Sequence, residues 1–365
     1  MNKEWKLHDT LFVDHLAFTV PVADFRHLNR AGKESTKRNQ WVRLPQPLFR
    51  KAKTQEAKEA LIRDYQAKFR EVCYQRCHQF IEKILNLKVG HPRNKGLHGY
   101  NESRRLYDPT GKIEVGFLAY GGNNDTVYIQ ISGTGCQHTF AKIRPFVLHF
   151  WLSKVLSIIR LSRIDIAYDD FTGNFGTKYA ESAYADNGFN NPKGGRTPQL
   201  DIRRPRTSKE LFGDTVYVGS RKSPVYWRIY DKSLEQGVPG KTWYRTEVEL
   251  KKVSVAVLED LPAAFAALCA FSASYKEQIS ADRLQRVRLA QVKTRLEFAG
   301  KIRWARRQVG KLLTDVAEHF NGDIERAYTI IARETGGKFS LPDTYKHLLN
   351  FDLRPLEEVK PCNYS

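Results

Sequence analysis

The chain has 365 residues, 41% of them hydrophobic and 12% aromatic, enough for one large domain or two ordinary ones around a buried core, and too apolar for wholesale disorder. Its 60 lysines and arginines against 40 acids give a formal net charge of +20, an excess that implies a polyanionic partner, because each neutralised phosphate releases condensed counterions. No apolar run is long enough to span a bilayer, the first residues lack a signal-peptide core, and the five cysteines (73, 77, 136, 269 and 362) are odd in number and scattered, so a cytoplasmic chain without a disulfide framework or membrane partner is expected.

Leu11 to Val20 reads as a buried strand stopped by Pro21, and the polar, basic residues 22–50 read as a loop. From Lys51 to Leu87 apolar residues recur at helical spacing (Leu61, Tyr65, Phe69, Val72, Phe80, Ile84), which predicts a helical segment over 51–88. Cys73 and Cys77 share a face with Phe69 and Phe80 and are expected in the core. A loop around Gly90–Gly99 follows, then strands near 114–119 and 126–132 joined through the turn Gly121-Gly-Asn-Asn-Asp125. Gly133-Thr-Gly135 reads as a bulge. Residues 144–161 predict an apolar helix with Phe146, Val147, Phe150, Trp151, Val155 and Ile158 as its buried stripe.

That helix leads into the first of three segments that alternate polar with apolar residues. Ser162 to Asp170 offers Arg163, Asp165 and Asp169; Val225 to Lys232 offers Tyr226, Arg228, Tyr230 and Lys232; Trp243 to Lys251 offers Arg245, Glu247 and Glu249. Side chains two apart on a strand point the same way, so adjacent pairing gathers tyrosine, carboxylates and cations on one sheet surface. Between these segments, residues 186–210 form a basic Asn/Gly/Pro/Arg-rich excursion with Arg203, Arg204 and Arg206, and Arg221 with Lys222 follows. Beyond Ala263 the pattern is helical, and residues 281–319 are rich in cations, among them Lys293, Arg303, Arg306 and Arg307. The order predicts an α+β fold: an antiparallel sheet with helices on one face, the other face open and polar, and a basic helical C-terminal module. Residues 1–275 make the first domain and 276–365 the second.

A tyrosine hydroxyl, with a pKa of about 10, needs nearby cations such as Lys232 or Arg228 to favour its phenolate. Arginines or a divalent ion can stabilise charge on an attacked phosphate, and carboxylates are the ligands Mg2+ or Mn2+ prefers. Tyr230, Lys232, Arg228, Asp165, Glu247 and Glu249 therefore form a set suited to phosphodiester cleavage, with Tyr226 the rival nucleophile on the same face. Plainer roles stand beside these: Asp165 as a salt-bridge partner of Arg163 or Arg245, and Glu247 and Glu249 as partners of Arg245 and Lys251. Asp170 and Asp231 alternate to the opposite face and read as turn residues. The chain has no His-x-His pair, no phosphate-binding Gly-x-x-x-x-Gly-Lys-Ser/Thr loop, no complete dinucleotide fingerprint and no Gly-x-Ser-x-Gly elbow.

The same residues carry a resemblance. Phe12-Val-Asp-His-Leu-Ala-Phe-Thr19, Ile129-Gln-Ile-Ser-Gly-Thr-Gly-Cys136, Ser162 to Asp170, Gly213 to Ser223, Arg228-Ile-Tyr-Asp-Lys232 and Arg245-Thr-Glu-Val-Glu249 occur in the order seen in the replication initiation factor (Rep_trans) family of rolling-circle plasmids and filamentous phages. The resemblance spans roughly residues 10–270. It implies a fold similar to the HUH/Rep nuclease core without its histidine pair. It also implies a site-specific nickase and ligase that cuts one strand at an origin and stays on the 5′ end through a tyrosine. By motif, Tyr230 is the nucleophile, Lys232 its companion, and Asp165, Glu247 and Glu249 bind Mg2+ or Mn2+. Origin duplex and nicked strand are the implied partners, in a bacterial host cytoplasm, with a host helicase and polymerase and a homodimer as further candidates. Arg203, Arg204, Arg206, Arg221, Lys222, Arg303, Arg306 and Arg307 are expected to hold DNA. A conjugative relaxase and a non-catalytic DNA-binding regulator are the alternatives.

Overall fold

The structure, a computed structural model, describes residues 11–27, 47–204, 213–284 and 286–332. In chain order the elements are β1 (Leu11–Pro21), α1 (Gln55–Lys83), β2 (Lys88–Pro92), β3 (Glu102–Tyr107), β4 (Glu114–Tyr120), β5 (Thr126–Ile131), α2 (Gly133–Lys142), α3 (Pro145–Phe150) and β6 (Arg160–Asp170). There follow α4 (Thr177–Ala185), β7 (Leu200–Arg203), β8 (Thr215–Gly219), β9 (Val225–Asp231), α5 (Lys232–Glu235) and β10 (Tyr244–Ser254). The remaining elements are helical: α6 (Leu261–Ala266), α7 (Ala270–Ala273), α8 (Lys276–Leu284), α9 (Arg286–Ala305), α10 (Lys311–His319) and α11 (Ile324–Ile331). This is the expected class, an antiparallel sheet with helices and a helical C-terminal region. Among the described residues no helix is long and apolar enough to cross a membrane.

The chain divides into two compact units, and the division does not fall at residue 275. Val13–Asp165 and Leu250–Leu261 form an N-terminal unit; Ile166–Glu249 and the described residues from Pro262 onward, with Leu11 and Phe12, form a C-terminal unit. The C-terminal helices thus group with the strands that carry Tyr230 and Glu247.

In the N-terminal unit the strands run in the order β2-β3-β4-β5-β1-β6, and β2–β3, β3–β4, β4–β5 and β1–β5 pair antiparallel. Leu16, Phe18, Leu106, Leu118, Ile129 and Ile131 fill its core. Helix α1 starts where Thr54 Oγ1 accepts the Ala57 N–H at 3.2 Å, an N-cap that satisfies an otherwise orphaned donor. Only its last turns are buried, at Cys73, Arg76, Cys77, Phe80 and Ile81. Burial pushes the Cys73 thiol up to about 12, as expected of a core thiol. Three local expectations are corrected. The region 88–107 pairs as β2 and β3, which its polar residues and Pro92 disguised. Gly133 opens α2 and is no bulge: a Cβ there would meet Asp14 Oδ1 at 2.6 Å, and one at Gly135 would meet Ile131 Cγ2 at 2.5 Å. The 144–161 helix is the short α3 running into a π-helical turn, Trp151–Val155. The buried stripe differs from the expected one: Phe146 and Phe150 are exposed while Leu148, Leu152 and Val155 are buried.

In the C-terminal unit the order is β6-β10-β9-β8-β7, so β10 lies between the two other strands of interest. Tyr168, Trp227, Ile229 and Val248 are buried, and the Trp227 ring packs against Phe189, Phe265 and Phe271 at 5.7, 5.7 and 5.5 Å between centroids. Thr246 bonds the Tyr275 hydroxyl at 2.8 Å. These contacts define the apolar face. The residues that alternate with them lie on the opposite face.

Candidate functional site

On that opposite face the polar residues of β6, β10 and β9 meet across the strands. Arg245 grips Asp169 with two bonds, Nε to Oδ1 at 2.6 Å and Nη2 to Oδ2 at 2.9 Å. Arg228 of β9 donates to Glu247 of β10. The bidentate Arg245–Asp169 pair is planar and directional, so it fixes these two side chains across β6 and β10.

The face is not open. Lys293 of α9 places its ammonium 2.8 Å from Asp169 Oδ2 and 3.6 Å from the centre of the Phe12 ring. The Asp169 side chain is 0% exposed, and those of Arg245 and Lys293 are each 6% exposed. Burial alone would raise Asp169, but Arg245 and Lys293 more than offset it and hold its carboxyl well below the usual carboxylate range. Further along α9, a Cβ on Gly300 would lie 2.4 Å from the Gln236 carbonyl oxygen, and Arg303 Nη1 donates to the Gly237 carbonyl at 2.7 Å. Helix α9 therefore packs on the turn that ends α5, just beyond Tyr230 and Lys232. Consecutive residues of β6 are gripped from the two faces, because Tyr168 donates to Asp282 of α8 at 2.7 Å.

Tyr230 is half-buried, with the Lys232 ammonium 5.5 Å from its ring centre. Lys232 is 8% exposed and pairs with Glu235. Asp231 caps α5 by accepting the Leu234 N–H at 3.0 Å, and Asp170 accepts the N–H groups of Thr172, Gly173 and Phe175. Both are the turn residues the alternation predicts. Tyr226, the rival nucleophile, is 7% exposed and lies parallel to Tyr217 at 5.9 Å. Burial and then Tyr217 push its phenol up, more than Arg221 and Arg228 bring it down.

The three carboxylates expected to bind metal stand as follows. Asp165 belongs to the N-terminal unit and is held by Arg163 through two bonds, 2.7 and 2.6 Å. Glu247 and Glu249 belong to the C-terminal unit and are buried, the first paired with Arg228. Among the described residues no group of three His, Cys, Asp or Glu side chains is spaced to hold a metal ion. Arginines thus already neutralise two of the three carboxylates, Asp165 in one unit and Glu247 in the other.

The expected DNA contacts also divide. Arg203, Arg204, Arg221, Lys222, Arg306 and Arg307 are exposed. Arg203 lies over the Tyr217 ring at 5.0 Å, and Arg204 pairs with Glu181 at 2.5 Å and Asp214 at 3.6 Å. Arg206 lies outside the described residues. Arg303 and Lys293, expected on a solvent-facing basic helix, instead bond inward.

With strands β6, β9 and β10 and helices α8 to α10 in view, the comparison with known families falls on this same part of the chain. Residues 159–329 match the Rep_trans replication initiation factor family. The matched segment contains the candidate residues Tyr226, Tyr230, Lys232, Asp165, Glu247 and Glu249 and leaves most of the N-terminal unit outside. Among solved structures, the chain is similar to a rolling circle replication initiator protein from Geobacillus stearothermophilus, with 18% identity and a TM-score of 0.47 over 74% of this chain and 96% of that one. No curated protein matches the chain.

Proposed function

We propose that the chain initiates rolling-circle replication by nicking one DNA strand with Tyr230. The phenol oxygen bonds to phosphorus, the bond to the 3′ oxygen breaks, and a proton passes to that oxygen. The products are a 5′-phosphotyrosyl link and a free 3′ hydroxyl. Because the link conserves the phosphodiester, the reverse attack rejoins the strand without ATP.

The observation that carries this reading is the half-buried Tyr230 with the Lys232 ammonium 5.5 Å from its ring, inside the segment that matches initiation factors. A nearby cation favours the phenolate over the phenol. Arg228, oriented by Glu247 on the same face, adds positive charge where the attacked phosphate gathers negative charge. Dependence on Mg2+ or Mn2+ is a measured variable of the test.

Supercoiled DNA carrying the cognate origin is incubated with wild type and with Tyr230→Phe, in Mg2+, Mn2+ or chelator. Wild type should yield nicked circles and a DNA adduct that survives denaturing electrophoresis, and the variant should yield neither. A variant that still nicks and links would move the nucleophile to Tyr226.

A further inference from the structure

We propose that the N-terminal unit carries a second DNA contact: a recess on the β2–β3 edge that takes a backbone phosphate of a single strand. It begins with a register shift. Lys88 pairs with Tyr107 and Val89 with Leu106, but the next pair is Pro92 with Arg104, so Gly90 and His91 together oppose Arg105. Such a bulge bends an edge strand and re-aims its side chains. Gly90 is required there, because a Cβ would meet Tyr107 Cε2 at 2.6 Å; the tyrosine ring lies against bare backbone. The result is a cavity of about 380 Å³ lined by His91, Pro92, Arg93, Lys95, Arg105 and Tyr107.

The lining holds three permanent cations and an imidazole, and no carboxylate. Arg105 has an acid nearby, Glu114 at 3.3 Å, with both side chains close to half exposed. Among the described residues neither Arg93 nor Lys95 has a carboxylate partner. Like charges gathered around a recess repel one another and add nothing to folding, whereas an anion seated between them is attracted by all. The volume suits a phosphate with its sugar. An aromatic patch adjoins it: Arg105 stands opposite Phe117 in the β3–β4 register, and the exposed His98 stacks on Phe117 at 5.5 Å and meets Tyr128 at 5.3 Å. Cations that follow a backbone beside rings that accept bases are what a single strand needs. The recess lies outside the family-matched residues 159–329. The inference rests on the proposed function only for the choice of DNA as the polyanion.

The test reads binding, so a chain that fails to nick still decides it. A labelled single-stranded oligonucleotide is titrated with the full chain across a salt series. Arg93→Gln/Lys95→Gln should lower the slope of log K against log salt by about 0.7, the value for one phosphate contact on a single strand. Carried from 1 M to 0.1 M salt, that slope change is about a 5-fold loss of affinity. The control Lys53→Gln/Lys58→Gln removes equal charge near the start of α1 and should hold the wild-type slope. An unchanged slope in the first variant, or an equal fall in the control, overturns the proposal. In wild type, strand binding should slow amide exchange over residues 88–107, and its absence also counts against the site. Displacement of the strand by a mononucleoside 5′-phosphate at comparable concentration would make the recess a free-nucleotide site and overturn the assignment to the backbone.

Discussion

Replacing Asp169 with asparagine removes the carboxylate that the Arg245 guanidinium and the Lys293 ammonium share, all three side chains being at most 6% exposed, and leaves Glu297 as an acid acting on both cations. Removing one partner of such a buried pair costs about 3–5 kcal/mol, because the charge left behind stays desolvated. Lys293→Met should cost less, about 1–2 kcal/mol, since Asp169 keeps its two bonds to Arg245 and the thioether still packs on Phe12. In the double variant only one buried cation remains, so its cost should fall short of the sum by about 2 kcal/mol. Hydrogen exchange resolved over the amides of α9 is the assay, because a chain of two compact units need not unfold in one step. Asp169 is held below its unfolded pKa, so this stabilisation is whole above the ordinary carboxylate range and is lost as pH falls below it. The cycle therefore belongs at pH 7. If Lys293→Met changes α9 protection by less than about 0.5 kcal/mol, or the two costs simply add, the ion triad does not hold this helix on the sheet.

Other expectations test neighbouring claims. Burial, with a smaller contribution from Arg104, lowers His78 from 6.5 to about 4. The fold thus favours the neutral ring, and stability should drop as pH falls from about 6.5 to about 4, by at most about 3.4 kcal/mol and nearer 1–2 kcal/mol at this half-buried site. Chemical unfolding at pH 7 and 4.5 should show that loss, and His78→Leu should lessen it; an equal loss in the variant would exclude the histidine. Arg303→Glu removes the donor to the Gly237 carbonyl and should cost about 1–3 kcal/mol. By contrast Arg306→Glu/Arg307→Glu, at exposed positions, should leave stability within about 0.5 kcal/mol and lower the duplex salt slope by about 1.8. Unfolding and binding titrations of the two variants would separate the roles, and an unchanged slope in the second would remove that segment from any duplex interface.

The alternation through Tyr226, Arg228 and Tyr230 is legible in the sequence because it is local. A strand has a period of two whatever surrounds it, and the same holds for the turn roles of Asp170 and Asp231. Cysteines on the apolar face of α1 are equally readable from helical spacing. Beyond one element the reading weakens for identifiable reasons. β2 and β3 hide because an edge strand with a bulge, a proline and exposed charges carries little apolar periodicity. The stripe after Pro145 is misplaced because apolar residues occupy nearly every position there, so spacing alone does not choose the buried face.

The sequence alone determined which residue types alternate on which strand, and hence which tyrosine, lysine and acids can share a face. Tertiary structure alone decided which charges neutralise each other: whether Asp165 keeps Arg163, whether Asp169 takes Arg245, and whether Lys293 points to water or inward. A lysine on a basic helix is solvated by default, and only a buried carboxylate brought against it by the fold makes the inward position stable. The recess at Arg93 and Lys95 has the same origin, since a cation's neighbours are set by strand register and not by its place in the chain.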